Sequence, residues 1–210
     1  MVLSAKSLPT IPHLRARTRA LATLDAILCP EWEYRYYSYN SNWGVSEEMA
    51  SMRNGQGDDW FLLFDSAGAA IKGLAHELQQ DAIGQLIQEQ VPTAFASFLN
   101  EPAFSIHQAS FCYWRSHSDN SWHRVTSGAT SPDGSELLLA LLTGDARAYQ
   151  EWAQDYYESS VPLPLVEAVF RMEPITEQLV GSLNTDVSIE AVAADLEEIG
   201  YAFKESAAGA

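Results

Sequence analysis

Residues 58–77 read DDWFLLFDSAGAAIKGLAHE, two apolar runs placed back to back. Residues 60–64, WFLLF, form the first run; residues 69–74, AAIKGL, form the second, interrupted by Lys72 and Gly73. Between them lies Asp65-Ser66-Ala67-Gly68, a cluster of turn formers. Two short apolar runs joined by a brief Gly-containing loop predict a β-hairpin. Its second strand ends at Ala75-His76-Glu77, which sets a titratable pair at the mouth of the hairpin.

Strand signals recur on both sides. Residues 33–39, EYRYYSY, are aromatic-rich and favour a strand. Asn40-Ser41-Asn42-Trp43-Gly44 then reads as a turn. Residues 47–53, EEMASMR, are read as a strand, although Met49 and Met52 also have helical spacing. Residues 110–115 and 121–125 predict a second hairpin around Ser116-His117-Ser118-Asp119-Asn120. Residues 136–142, ELLLALL, have the length of a buried strand, with a helical segment as the alternative.

Helices are expected at 14–28, 81–99 with a break at Pro92, 145–159 and 188–200. The first carries Leu14, Leu21, Leu24 and Leu28 at helical spacing, with arginines between them. The last opens on Ser188 as N-cap and stops at Gly200. Consecutive hairpins with helices grouped before and after them predict an α+β fold, a mostly antiparallel sheet covered by N- and C-terminal helices. We expect one domain over residues 1–210, with 145–204 as its helical C-terminal part and 1–12 and 205–210 flexible.

The formal net charge is -16, and all 28 acids lie from Asp25 onward. Such a surface repels phosphate, so nucleic acid and anionic membranes are disfavoured partners, and a basic protein is the electrostatically compatible one. No run reaches the ~18 apolar residues of a membrane span. With two cysteines, Cys29 and Cys112, and no secretory signal, the expected setting is the cytoplasm. Whether the two cysteines pair is left open.

Catalytic signatures are sparse. His107, Cys112, His117 and His123 fall within one 17-residue stretch, but no pair has a recognised zinc spacing. No metal and no cofactor are expected. Gly55-x-Gly57 precedes a strand and lacks a third glycine, so it is a turn and not a phosphate cradle. His76 and Glu77 are adjacent and would face opposite ways on a strand, so His76 would need Asp58 or Asp59 as its partner. The richest recognition signal is Trp32, Tyr34, Tyr36, Tyr37, Tyr39 and Trp43 within twelve residues, with Arg35 among them. Trp, Tyr and Arg dominate binding hot spots.

Trp43-Gly44, residues 48–55 (EMASMRNG), Ile71-Lys72-Gly73 with His76-Glu77, residues 98–104 (FLNEPAF) and residues 111–115 (FCYWR) together carry a family likeness. They resemble a family of bacterial proteins of uncharacterised function, over roughly residues 20–200. The resemblance implies a bacterial, cytoplasmic protein and carries over no catalytic residue.

The leading expectation is a non-enzymatic binding protein that meets a protein partner through an acidic, aromatic surface, in one version an inhibitor or immunity-type protein. The alternative is a small-ligand binder or enzyme with a pocket near His76, Arg115, Trp122 and His123. Trp43, Arg53, Trp60 and Glu77 complete the candidate ligand- or partner-contacting residues.

Overall fold

The computed structural model describes residues 2–78, 83–126, 128 and 131–204. Helix α1 (Ile11–Leu28) leads into strands β1 (Tyr37–Gly44), β2 (Glu47–Arg53), β3 (Asp59–Phe64) and β4 (Gly68–Leu74). Helices α2 (Ile83–Gln90) and α3 (Ala96–Asn100) separate these from β5 (Phe111–Ser116) and β6 (His123–Arg124). Helices α4 (Ser135–Leu138), α5 (Ala140–Thr143), α6 (Ala146–Tyr156), α7 (Leu163–Phe170), α8 (Glu177–Leu183) and α9 (Ile189–Ile199) follow. The class is α+β, as the hairpin pattern predicts: one antiparallel sheet in the order β1-β2-β3-β4-β5-β6, with helices around it.

The hairpin of residues 58–77 lies at the centre of this sheet. Its register pairs Trp60 with Gly73 and Phe64 with Ala69. One Asp65 carboxylate oxygen accepts the backbone N–H groups of Ala67 and Gly68 at 2.8 and 3.0 Å, which fixes the turn. The WFLLF run is continuous because both faces of the sheet are covered, so alternate residues are apolar in either direction. Trp60, Leu62 and Phe64 pack with Tyr37, Tyr39, Met52, Ile71 and Tyr113 against α1 and the C-terminal helices. Phe61 and Leu63 pack with Met49, Ala70 and Cys112 against Ile83, Ile87, Phe95, Phe98 and Phe104 from the β4–β5 connection.

Gly68 lets β5 approach β4. A side chain there would collide with the Arg115 carbonyl oxygen. Gly68→Ala is expected to cost about 1–3 kcal/mol by forcing the strands apart, read as a lower urea midpoint with an unchanged slope. Gly200 ends α9 at φ +70°, a left-handed C-cap that glycine adopts without strain.

Several local expectations are corrected. Residues 33–39 are not one strand. Residues 32–34 form a 3-10 turn, and β1 begins only at Tyr37. Arg35 is the cause: it donates to the Cys29 and Pro30 carbonyls at 2.8 and 2.6 Å and forks onto Asp195. Residues 40–44 are strand and not turn. Their polar side chains are taken up by the end of α9, Asn40 donating to Glu198 Oε1 and Ser41 to the Glu198 carbonyl. The turn falls instead at Val45-Ser46, with Ser46 at φ +61°.

Residues 136–142 are helical, in α4 and α5. Asp133 accepts from the Ser135 N–H and hydroxyl and starts the turn, and the Leu138 carbonyl accepts the Trp60 indole N–H. The N-terminal residues expected to be flexible are tied into the core: Leu3, Leu8 and Ile11 are buried, and the Leu3 carbonyl accepts from the Tyr113 hydroxyl. The two helices expected within 81–99, on either side of a break at Pro92, are α2 and α3; residues 81 and 82 lie outside the described ones. The frayed end expected at 205–210 also lies outside them. Cys29 and Cys112 are both free thiols.

Candidate functional site

The four residues expected to share a pocket do not meet. Cross-strand register sets Gly73 opposite Phe111 and Ala69 opposite Arg115, so His76 and Arg115 lie at opposite ends of β4 and β5. Trp122 is buried, and its indole N–H goes to the Pro9 carbonyl at 2.7 Å. His123 stacks on Trp114 with 4.2 Å between ring centres and reaches Asp119 at 3.1 Å. Arg115 donates to the Asp119 carbonyl at 3.2 and 3.0 Å. These contacts hold the β5–β6 loop together.

His76 finds the partner foreseen for it. Its Nδ1 lies 2.7 Å from Asp58 Oδ1, and the same oxygen accepts the His76 backbone N–H at 2.9 Å. Burial works to raise the Asp58 pKa, but the His76 and Asn54 hydrogen bonds outweigh it and hold the carboxyl below its ordinary value. Glu77 is exposed beside this pair. Trp60 is a core residue, sealed under α4.

Two of the eight candidates, Trp43 and Arg53, line one cavity of about 260 Å³ over β1 and β2, together with Ser38, Asn40, Ser51 and Phe61. Trp43 stacks on Phe104 at 6.3 Å, and the Arg53 guanidinium lies 5.4 Å from the Phe61 ring centre. An adjoining cavity of about 280 Å³ shares Trp32, Arg35, Ser38, Ser51 and Arg53 and adds Glu33, Tyr34, Tyr36 and Tyr156. Trp32 is 60%, Tyr34 65% and Tyr156 42% exposed. The twelve-residue aromatic stretch therefore divides: Tyr37 and Tyr39 enter the core, while Trp32 and Tyr34 stay in water. The 3-10 turn at 32–34 makes that division, and period-2 alternation along an assumed strand hid it.

Two buried charges escaped the sequence reading. Lys72 has no exposed side-chain surface; its Nζ lies 2.8 Å from Asp59 Oδ1 and 5.1 Å from the centre of Phe61. Burial lowers its pKa, and Asp59 partly restores it. Asp25 is sealed inside α1. Its carboxylate accepts the Tyr37 N–H at 2.7 Å and the Tyr149 hydroxyl at 2.8 Å. The Tyr157 hydroxyl faces it too, but makes no hydrogen bond of normal geometry. Burial drives the Asp25 pKa up to about 7 against the pull of these donors. A lone acid inside the apolar run ALATLDAILC was the available signal.

Among the described residues no three His, Cys, Asp or Glu side chains converge as a metal site would require. No helix among them is long and apolar enough to cross a membrane. Comparison with protein-family models, curated proteins and solved structures finds no match for this chain.

Proposed function

We propose that this protein is a non-enzymatic binding protein and that its partner is a basic protein, met through the aromatic rim beside β1 and β2. One observation carries the reading. Trp32, Tyr34 and Tyr156, three large side chains left in water, surround one cavity, with the exposed Glu33 in its lining and Glu31 next to Trp32 in sequence. Exposed aromatics grouped in one place mark interaction sites, whereas single ones are ordinary. Aromatic anchors supply the contact area, and the net charge of -16 steers a basic partner toward it. An inhibitor or immunity-type protein that neutralises a basic toxin is the specific form we favour.

The test is capture of a stoichiometric basic protein from extract of the producing cells at low and at physiological salt, followed by titration with both purified components. The reading expects weaker binding as salt rises. It also expects Trp32→Ala with Tyr34→Ala to lose at least about 2 kcal/mol of affinity, near thirtyfold, with folding intact because both side chains are exposed. Equal affinity of the variant, or capture of no basic protein, would remove the reading.

A further inference from the structure

The floor of the same groove holds hydrogen-bond donors that the protein does not use. Ser38 and Ser51 are direct cross-strand partners on β1 and β2, and both line the two adjoining cavities. Neither hydroxyl makes a hydrogen bond to any described residue, although Ser51 is only 5% exposed. Arg53, two residues beyond Ser51 and on the same face of β2, has no carboxylate partner among the described residues; its one side-chain contact of note is the Phe61 ring. Arg35, in contrast, is fully committed to Asp195 and to two carbonyls. Neither oxygen is sealed off, so each is open to water and to a ligand that enters the cavity.

We infer that this floor binds a small carboxylate carried on a flat apolar body, with Arg53, Ser38 and Ser51 holding the carboxylate and Trp43, Phe61 and Met49 holding the body. Guanidinium and hydroxyl groups are the pair that suits a planar carboxylate, since the guanidinium can donate two parallel N–H bonds. The walls are apolar where the ligand body would lie. Each cavity falls just short of the ~300 Å³ at which ligand pockets begin, and the two adjoin. The acids in the linings bear on charge selection. Asp195 is neutralised by Arg35, and Glu198 accepts from Asn40. Glu33 stands exposed on the aromatic rim, so it would repel a ligand with further negative charge. The expected ligand is therefore a monoanion. This site uses Ser38, Ser51 and the exposed Arg53, whereas the partner surface is the aromatic rim, and it stands whether or not a protein partner exists.

The experiment titrates the full chain with three probes by calorimetry and by heteronuclear NMR: indole-3-acetate, N-acetyltryptophan and N-acetyltryptophan amide. The two acids are expected to bind, the amide at least about tenfold more weakly, which is one decade in Kd. Tighter binding of indole-3-acetate assigns the site to a free small acid; tighter binding of N-acetyltryptophan assigns it to a peptide C-terminus; both carry the proposal. Arg53→Gln, and separately Ser38→Ala with Ser51→Ala, should each weaken the acids about tenfold without a change in melting temperature. Equal binding of acid and amide, unchanged affinity in Arg53→Gln, or no shift at millimolar probe would overturn the proposal.

Discussion

The Leu21→Ala and Leu24→Ala variants are each expected to lose about 2–5 kcal/mol of stability, and the double variant to be largely unfolded at room temperature. Both side chains are fully buried, and α1 touches β1 on one side and α7, α8 and α9 on the other. Its C-terminal half is enclosed on every side: residues 20–27 are all buried. The Asn184 side chain ties the Ile27 carbonyl to the end of α8 at 2.9 Å. Small domains hold ~5–15 kcal/mol in total, so two leucines of this kind represent most of it. They are one turn apart and share neighbours, so the double variant should fall short of the sum. Urea unfolding at matched pH is the measurement. A urea midpoint unchanged by either substitution would mean that α1 does not belong to this core.

Stability is expected to fall as pH rises from about 4 to about 7, and Asp25→Asn is expected to abolish most of that fall. The Asp25 carboxyl titrates near pH 7 when folded because burial raises it. An unfolded aspartate titrates at ~3.9. Between these values the folded chain holds a proton that the unfolded chain has released, so folding is favoured most below pH 4 and progressively less up to pH 7. Three pH units correspond to on the order of 4 kcal/mol, level again above pH 7. The groups facing Asp25 are the Tyr36 and Tyr37 backbone, Tyr149 and Tyr157, with Cys29 and Tyr156 near enough to feel its charge. None of these is a cation, so only hydrogen-bond donors support the ionised form, and burial outweighs them. Asparagine keeps an acceptor for the Tyr37 N–H, and the Tyr149 hydroxyl can rotate to accept from its amide. Asp25→Asn should therefore match the parent near pH 4 and exceed it at pH 8. A stability difference between the two that does not vary with pH would contradict the account.

Local patterning carried the centre of the fold well. The WFLLF and AAIKGL runs, the Asp65-Gly68 turn and the caps Ser188 and Gly200 each act within a few residues, and their reading needs no distant partner. The misreadings have long-range causes. Arg35 bends residues 32–34 away from the sheet by reaching Asp195, and Asn40 and Ser41 are drawn into β1 by the end of α9. Residues 136–142 are apolar enough for either state, and the turn that Asp133 and Ser135 close just before α4 leads them into helix. The same holds for the site. Trp43 and Arg53 were candidates by type alone, and the register of β1 on β2 gives them Ser38 and Ser51 as neighbours. Trp122 and Trp60 were equal candidates by type, yet their indole N–H groups close core hydrogen bonds.

That contrast among the tryptophans supplies the most direct test of the central claim, that the β1–β2 face is the working surface. The six indole N–H resonances, assigned by single Trp→Phe substitutions, would be followed during titration with the basic protein captured at low salt. The account predicts that the Trp32 and Trp43 signals shift while those of Trp60 and Trp122, bonded to the Leu138 and Pro9 carbonyls, stay in place. Shifts centred on Trp114 and Trp122, with Trp32 and Trp43 unmoved, would place binding at the β5–β6 end of the sheet and contradict it.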